Sequence, residues 1–219
     1  MAEDLKKQLR NEYILLVIAI FASGLLLLDT TKSFIGGVYI FLAIASMAIL
    51  GFRKNITNKT TNLHGISTKH LMINLVVGIF FGIVFMIVTP LVGLSLAVPQ
   101  LPIALSSSAI IVSGVAPIVE ETMFRTVGLW FLIDAIGWNK WISNAIQALL
   151  FSLYHAFVYA GELSFTAIDS VMTDFITAAV AGFLLGILYL ATKDSFQSKA
   201  THSTINSIIL AGRELVFGR

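Results

Sequence analysis

The chain has 219 residues, 57% hydrophobic and 12% charged, with a mean hydropathy of +0.90 and a formal net charge of +2. Soluble domains carry about 25% charged residues, so half that share with a raised apolar fraction indicates an integral membrane protein. The lack of cysteine excludes disulfides, thiolate metal centres and cysteine nucleophiles, and a small charge spread over short loops excludes nucleic acid as a partner.

Lys6, Lys7 and Arg10 precede a first apolar run at 13–28. No small-residue cleavage site follows it, so it is expected to be a retained span and not a signal peptide. Further runs cover 34–52, 71–98, 103–133, 141–160 and 168–191, with a shorter one at about 202–212. About 20 residues cross the hydrocarbon core. The 103–133 run exceeds one span and is expected either to be a long tilted helix or to divide near Pro117, which removes a helix donor. These runs predict an all-α polytopic membrane protein. It would be a bundle of about seven transmembrane helices, eight if that run divides, around an intramembrane polar cavity.

The segment 53–70 is the main polar insertion, with Arg53, Lys54, Lys59 and Lys69. The positive-inside rule puts it and the N-terminus in the cytoplasm, along with the loops at 134–140 and 192–199. The connection at 98–103 has no basic residue and falls outside. Arg213 and Arg219 would then lie outside as well, so the last helix is expected to be short or re-entrant. Ala178, Gly182 and Gly186 recur at intervals of four in the sixth span, and small residues at this spacing let helix backbones approach closely. No internal repeat of the kind found in transporters is visible.

Charged side chains at mid-bilayer cost about 2.5–3.5 kcal/mol or more and mark function. Three ionisable residues, Glu120, Glu121 and Arg125, fall within six positions of SGVAPIVEETMFRTVGLW. Glu120 lies 13 residues before Ile133, and His155 lies 14 residues after Trp141. At 1.5 Å per residue these are depths of about 20 and 21 Å from one membrane surface. Two adjacent antiparallel helices can therefore bring the carboxylate and the imidazole together. Glu121 and Arg125 are four apart, the favourable order for an ion pair along a helix, and Glu120 points about 100° away from Glu121. The spacing gives Glu121 to Arg125 and leaves Glu120 to face His155. His202 and Asn206 share one helix face in the same way, as do Phe151 and His155. Taken singly, a His–Asn pair or a Glu–Arg pair is more often helix glue than machinery. The conjunction on three helices changes that balance. His64 and His70 lie in or beside the polar insertion and are expected to do nothing special. Asp169 and Asp174 are expected to favour a helix N-terminus.

The three motifs are Glu120-Glu121-Thr122-Met123-Phe124-Arg125, Phe151-Ser152-Leu153-Tyr154-His155 and His202-Ser203-Thr204-Ile205-Asn206. In order, they resemble the E-E-x-x-x-R, F-x-x-x-H and H-x-x-x-N patterns of the CPBP family of CAAX proteases and bacteriocin-processing (Abi) proteins, which includes the type II CAAX prenyl proteases. The resemblance covers roughly residues 100–212. It divides the single membrane domain, 1–219, into generic N-terminal helices (1–100) and a catalytic core (101–214). Thr126 stands where the family frequently has glycine. The resemblance implies an intramembrane endopeptidase. By position, Glu120 would be a general base acting with His155 on a water, His202 and Asn206 would stabilise the oxyanion, and Arg125 would orient the glutamates.

Donors aimed at a tetrahedral intermediate are worth about 2.7–4 kcal/mol each. A metal is the alternative activator, because Glu120, His155 and His202 make a zinc-compatible set. The spacing is not H-E-x-x-H, however, and a cofactor-free glutamate mechanism is favoured. The expected partners are membrane lipid and a protein or peptide substrate, either prenylated or a bacteriocin precursor, with the cavity opening towards the inner side. A non-enzymatic bacteriocin-immunity protein and a proton-coupled transporter are the competing readings. Small size and composition lean towards a bacterial plasma membrane.

Overall fold

A computed structural model describes residues 2–28, 33–56, 71–91, 107–160 and 168–217. Among them are seven α-helices and no strand: α1 (Ala2–Leu27), α2 (Ser33–Ile56), α3 (Leu71–Leu91), α4 (Ser107–Glu121), α5 (Lys140–Ala160), α6 (Ile168–Thr192) and α7 (Ser195–Phe217). Helices are what lipid demands, because they alone satisfy every backbone N–H and C=O within a single segment. The side chains are arranged accordingly. Phe21 and Phe41 are 77% and 69% exposed on the outside, whereas Glu12, Glu121 and Arg125 are 0% exposed inside. A polar interior with an apolar exterior suits an integral membrane protein. By length and composition, Lys7–Leu27, Phe34–Gly51 and Phe175–Thr192 can each cross a membrane.

The helices pack as three pairs, α1 with α2, α3 with α7 and α5 with α6. α4 and its continuation contact α1, α2, α5 and α7 and so lie between the pairs. Leu16 and Ala19 of α1, Ala43 and Leu50 of α2 and Val119 of α4 form the main apolar core. Between α5 and α6 the contact is closer. A Cβ on Gly182 would come within 2.9 Å of the Phe151 ring, and one on Gly186 would run into the Asn144 amide. The small-residue spacing in the sixth span is thus where two backbones meet, as packing in lipid favours. Polar bonds accompany it: Asn144 donates to Phe183 O at 3.0 Å and Gln147 to Gly182 O at 3.0 Å.

Two expectations are corrected and one open alternative is narrowed. Of the two readings of the 103–133 run, division at Pro117 does not occur, since Pro117 lies inside α4. The chain instead widens into π-helix after Glu121, over Thr122–Leu129 and again over Phe131–Ala135. At the change of register the Thr122 hydroxyl donates back to Ile118 O at 2.7 Å, a local bond that competes with the regular helix ladder. π segments are rare and often found at functional sites. The loop expected at 192–199 shrinks to Lys193 and Asp194. Lys193 takes a left-handed φ of 56°, and the Asp194 carboxylate caps α7 by accepting the Phe196 N–H at 2.9 Å. α7 is therefore not short but 23 residues long. His64, His70 and the connection at 98–103 lie outside the described residues.

Candidate active site

The two adjacent glutamates sit at the end of α4, where the α register gives way to π. Glu121 is fully buried and has two partners. Arg125 Nε lies 3.1 Å from its Oε2, the pairing expected from the spacing. His202 Nδ1 lies 2.9 Å from its Oε1. Arg125 is held in turn by three groups. Its Nη2 donates to Gly182 O at 3.2 Å, and its guanidinium carbon stands 4.3 Å from the centre of the Phe151 ring. That stacking on an aromatic face is one that a lysine ammonium reproduces poorly. α4, α5 and α6 thus converge on one cation.

Glu120 has a different environment. Its Oε1 accepts the Tyr39 hydroxyl of α2 at 3.4 Å, and Tyr154 of α5 directs its hydroxyl at the same carboxylate. Its Oε2 faces two imidazoles, His155 Nε2 and His202 Nε2, each at 3.7 Å. Both distances are beyond hydrogen-bond length. Among the described residues no lysine or arginine pairs directly with Glu120.

Hydrogen-bond partners set the histidine tautomers. His155 Nδ1 lies 2.9 Å from Phe151 O, and a carbonyl only accepts, so Nδ1 carries the hydrogen. His202 Nδ1 faces the Arg125-paired carboxylate of Glu121, so it too is the donor. In the neutral rings both Nε2 atoms then offer lone pairs. Three acceptors, Glu120 Oε2, His155 Nε2 and His202 Nε2, converge within 4.8 Å of one another. Like acceptors facing one another call for a bridging proton, a water or a cation. The nitrogen and oxygen donors also match a zinc set in type, so these residues could hold a divalent metal.

Five of the six expected residues therefore meet: Glu120, Glu121, Arg125, His155 and His202. Asn206 lies one turn beyond His202 on α7, half-buried, and makes none of the bonds that join the other five among the described residues. Phe151 proves to be the aromatic floor of the site, with its ring centre 4.2 Å from that of His155 and 5.8 Å from that of His202. Tyr39 and Tyr154 carry no signal in the sequence beyond being tyrosines in apolar helices.

A second polar cluster lies beside the first. Glu12 of α1, 0% exposed, pairs with Lys199 Nζ at 3.1 Å. It accepts hydroxyls from Thr126 at 3.2 Å and from Ser195, and the Thr122 hydroxyl oxygen, whose hydrogen goes to Ile118 O, stands 3.2 Å from the other Glu12 oxygen. Thr126, where a glycine was the familiar residue, is thus a donor to a buried carboxylate.

Residues 102–208 match the type II CAAX prenyl endopeptidase Rce1-like family. That segment is similar to the family over just under half of the chain. All six expected site residues lie inside the matched segment, and Glu12 and Tyr39 lie outside it. That family is one of CAAX-type prenyl endopeptidases, and the similarity suggests a protease that acts on a peptide or protein in a membrane setting. No curated protein and no solved structure matches the chain.

Proposed function

We propose that the protein is an intramembrane endopeptidase that hydrolyses a peptide bond in a membrane-associated protein or peptide, with water activated by Glu120 and His155. The observation that carries this reading is the convergence of Glu120 Oε2, His155 Nε2 and His202 Nε2 with no hydrogen bond between them. A water between these acceptors donates its hydrogens to them and turns an oxygen lone pair outward. That lone pair attacks the substrate carbonyl carbon as a proton passes to Glu120. The proton then goes to the amide nitrogen as the C–N bond breaks, leaving a new carboxylate and a new amine. Positioned proton transfer of this kind contributes about 10²–10⁴-fold.

Glu121 and Arg125 form the rigid backing, and Glu121 holds His202 by Nδ1. With that hydrogen committed, His202 serves the oxyanion only when both ring nitrogens are protonated. Asn206 retains two amide hydrogens for that task. A second reading rests on the same three acceptors: Glu120, His155 and His202 would hold a divalent metal, which when bound supplies Lewis-acid polarisation.

The substrate classes that fit the family are a CAAX-type prenylated C-terminus and a bacteriocin precursor. The test is cleavage of membrane-tethered peptides of each class by protein in proteoliposomes, with Glu120→Ala and His155→Ala alongside. Loss of cleavage in both variants supports the proposal. Cleavage, or an immunity phenotype, that persists in both sinks it, and solute uptake that depends on Glu120 would favour the transporter.

A further inference from the structure

Buried Glu12 and Lys199 are not used by the chemistry above. We propose that they are positioning residues for His202: Glu12 is a clamp from α1 that holds α7 and the π segment in the register that lets His202 meet Glu121. The proposal rests on the endopeptidase reading.

The two elements that make up the site are gripped by a single carboxylate. On α7, Glu12 Oε1 takes Lys199 Nζ at 3.1 Å and the Ser195 hydroxyl, and Lys199 stands one turn before His202. On the π segment it takes the hydroxyl of Thr126, the residue that immediately follows Arg125 in the chain, at 3.2 Å. A shift between these elements therefore moves His202 Nδ1 directly against Glu121 Oε1, now at 2.9 Å. The start of α7 is already fixed by the two-residue turn and the Asp194 cap. Glu12 ties that start to the π segment by direct bonds, and it belongs to a helix outside the matched segment. Catalysis is sensitive to such placement, since a displacement of about 1 Å can cost 10²-fold.

Glu12→Gln keeps an acceptor for the hydroxyls but leaves the Lys199 ammonium without its counter-charge. The expected result is a fall in kcat of about tenfold with KM within about twofold, because the substrate-contacting groups are untouched. Lys199→Met is expected to lose the same, and the double variant no more than either single, as for residues that act through one another. Thr126→Val removes one hydroxyl at nearly constant shape and is expected to lower kcat about threefold.

A readout independent of cleavage is available because the chain has no cysteine. Spin labels on Ile18→Cys in α1 and Ser207→Cys in α7, both exposed positions, should give a narrow distance distribution that broadens in Glu12→Gln. A kcat per folded protein unchanged in Glu12→Gln overturns the clamp. If that variant does not fold, an unchanged kcat in Thr126→Val overturns it instead. Cleavage that survives Glu120→Gln sinks the endopeptidase reading alone, and the spin-label distances then decide the clamp.

Discussion

Glu12 and Glu120 are both carboxylates buried between helices, and they are treated in opposite ways. Glu12 Oε1 is saturated: one ammonium and two hydroxyls point at it, and each of these contacts is donor to acceptor. Glu120 has the Tyr39 hydroxyl on one oxygen, but its other oxygen faces two imidazole nitrogens that are themselves acceptors. A buried charge that is paired and hydrogen-bonded belongs to the framework. A buried carboxylate set against other acceptors is costly unless something passes through the gap. Glu121 belongs with Glu12 in this respect, since Arg125 and His202 occupy its two oxygens. The adjacent glutamates thus divide into one support and one working group.

The contrast can be broken experimentally. Glu120→Gln keeps shape and burial but removes the base, and cleavage is expected to fall about 10³-fold with the melting temperature little changed. An equal loss from a change made at a saturated carboxylate would erase the distinction. Next is Asn206→Ala, expected to cost about 10²-fold in kcat with KM held, as for loss of one oxyanion donor. A rise in KM with kcat intact would make Asn206 a binding residue.

Arg125→Met leaves Glu121 buried without its cation. Breaking such a pair costs about 3–5 kcal/mol, so a large drop in the melting temperature of the detergent-solubilised protein is expected, with activity lost as a consequence. Gly186→Val tests the framework at the α5–α6 contact. The added side chain meets the Asn144 amide, and overpacking of this kind costs about 1–3 kcal/mol, readable in the same melt. The smallest effect is expected from exhaustive chelation, which should leave cleavage unchanged. Loss of activity on chelation, restored by zinc, would transfer Glu120, His155 and His202 to the metal-holding reading.

Much of the fold is legible because lipid imposes a simple rule on the chain. The runs at 141–160 and 168–191 correspond to α5 (Lys140–Ala160) and α6 (Ile168–Thr192) almost residue for residue. Apolar runs betray spans, but they understate helices whose ends are polar. α1 begins at Ala2, well before its run at 13–28, and α7 begins at Ser195, where a polar loop was expected. For the same reason Glu12 escapes notice: it lies one residue outside an apolar run and reads as a flanking charge. Lys199 escapes with it, because a lysine before a helix suggests the membrane surface. Hydropathy gives no hint of the π segment either, since widening the turn changes hydrogen-bond register and not composition.

By itself the sequence determined that this is a helical membrane protein and that Glu120, Glu121, Arg125, His155 and His202 are its unusual residues. Charge in an apolar run is costly, and spacing along a helix sets which side chains share a face. Only the tertiary structure decided how they are partnered. It put both imidazole lone pairs on Glu120, gave Glu121 to Arg125 and His202, and drew Glu12 and Tyr39 from helices outside the matched segment into contact with the π segment and the end of α4. Those pairings depend on the crossing of helices distant in the chain, which local spacing does not encode.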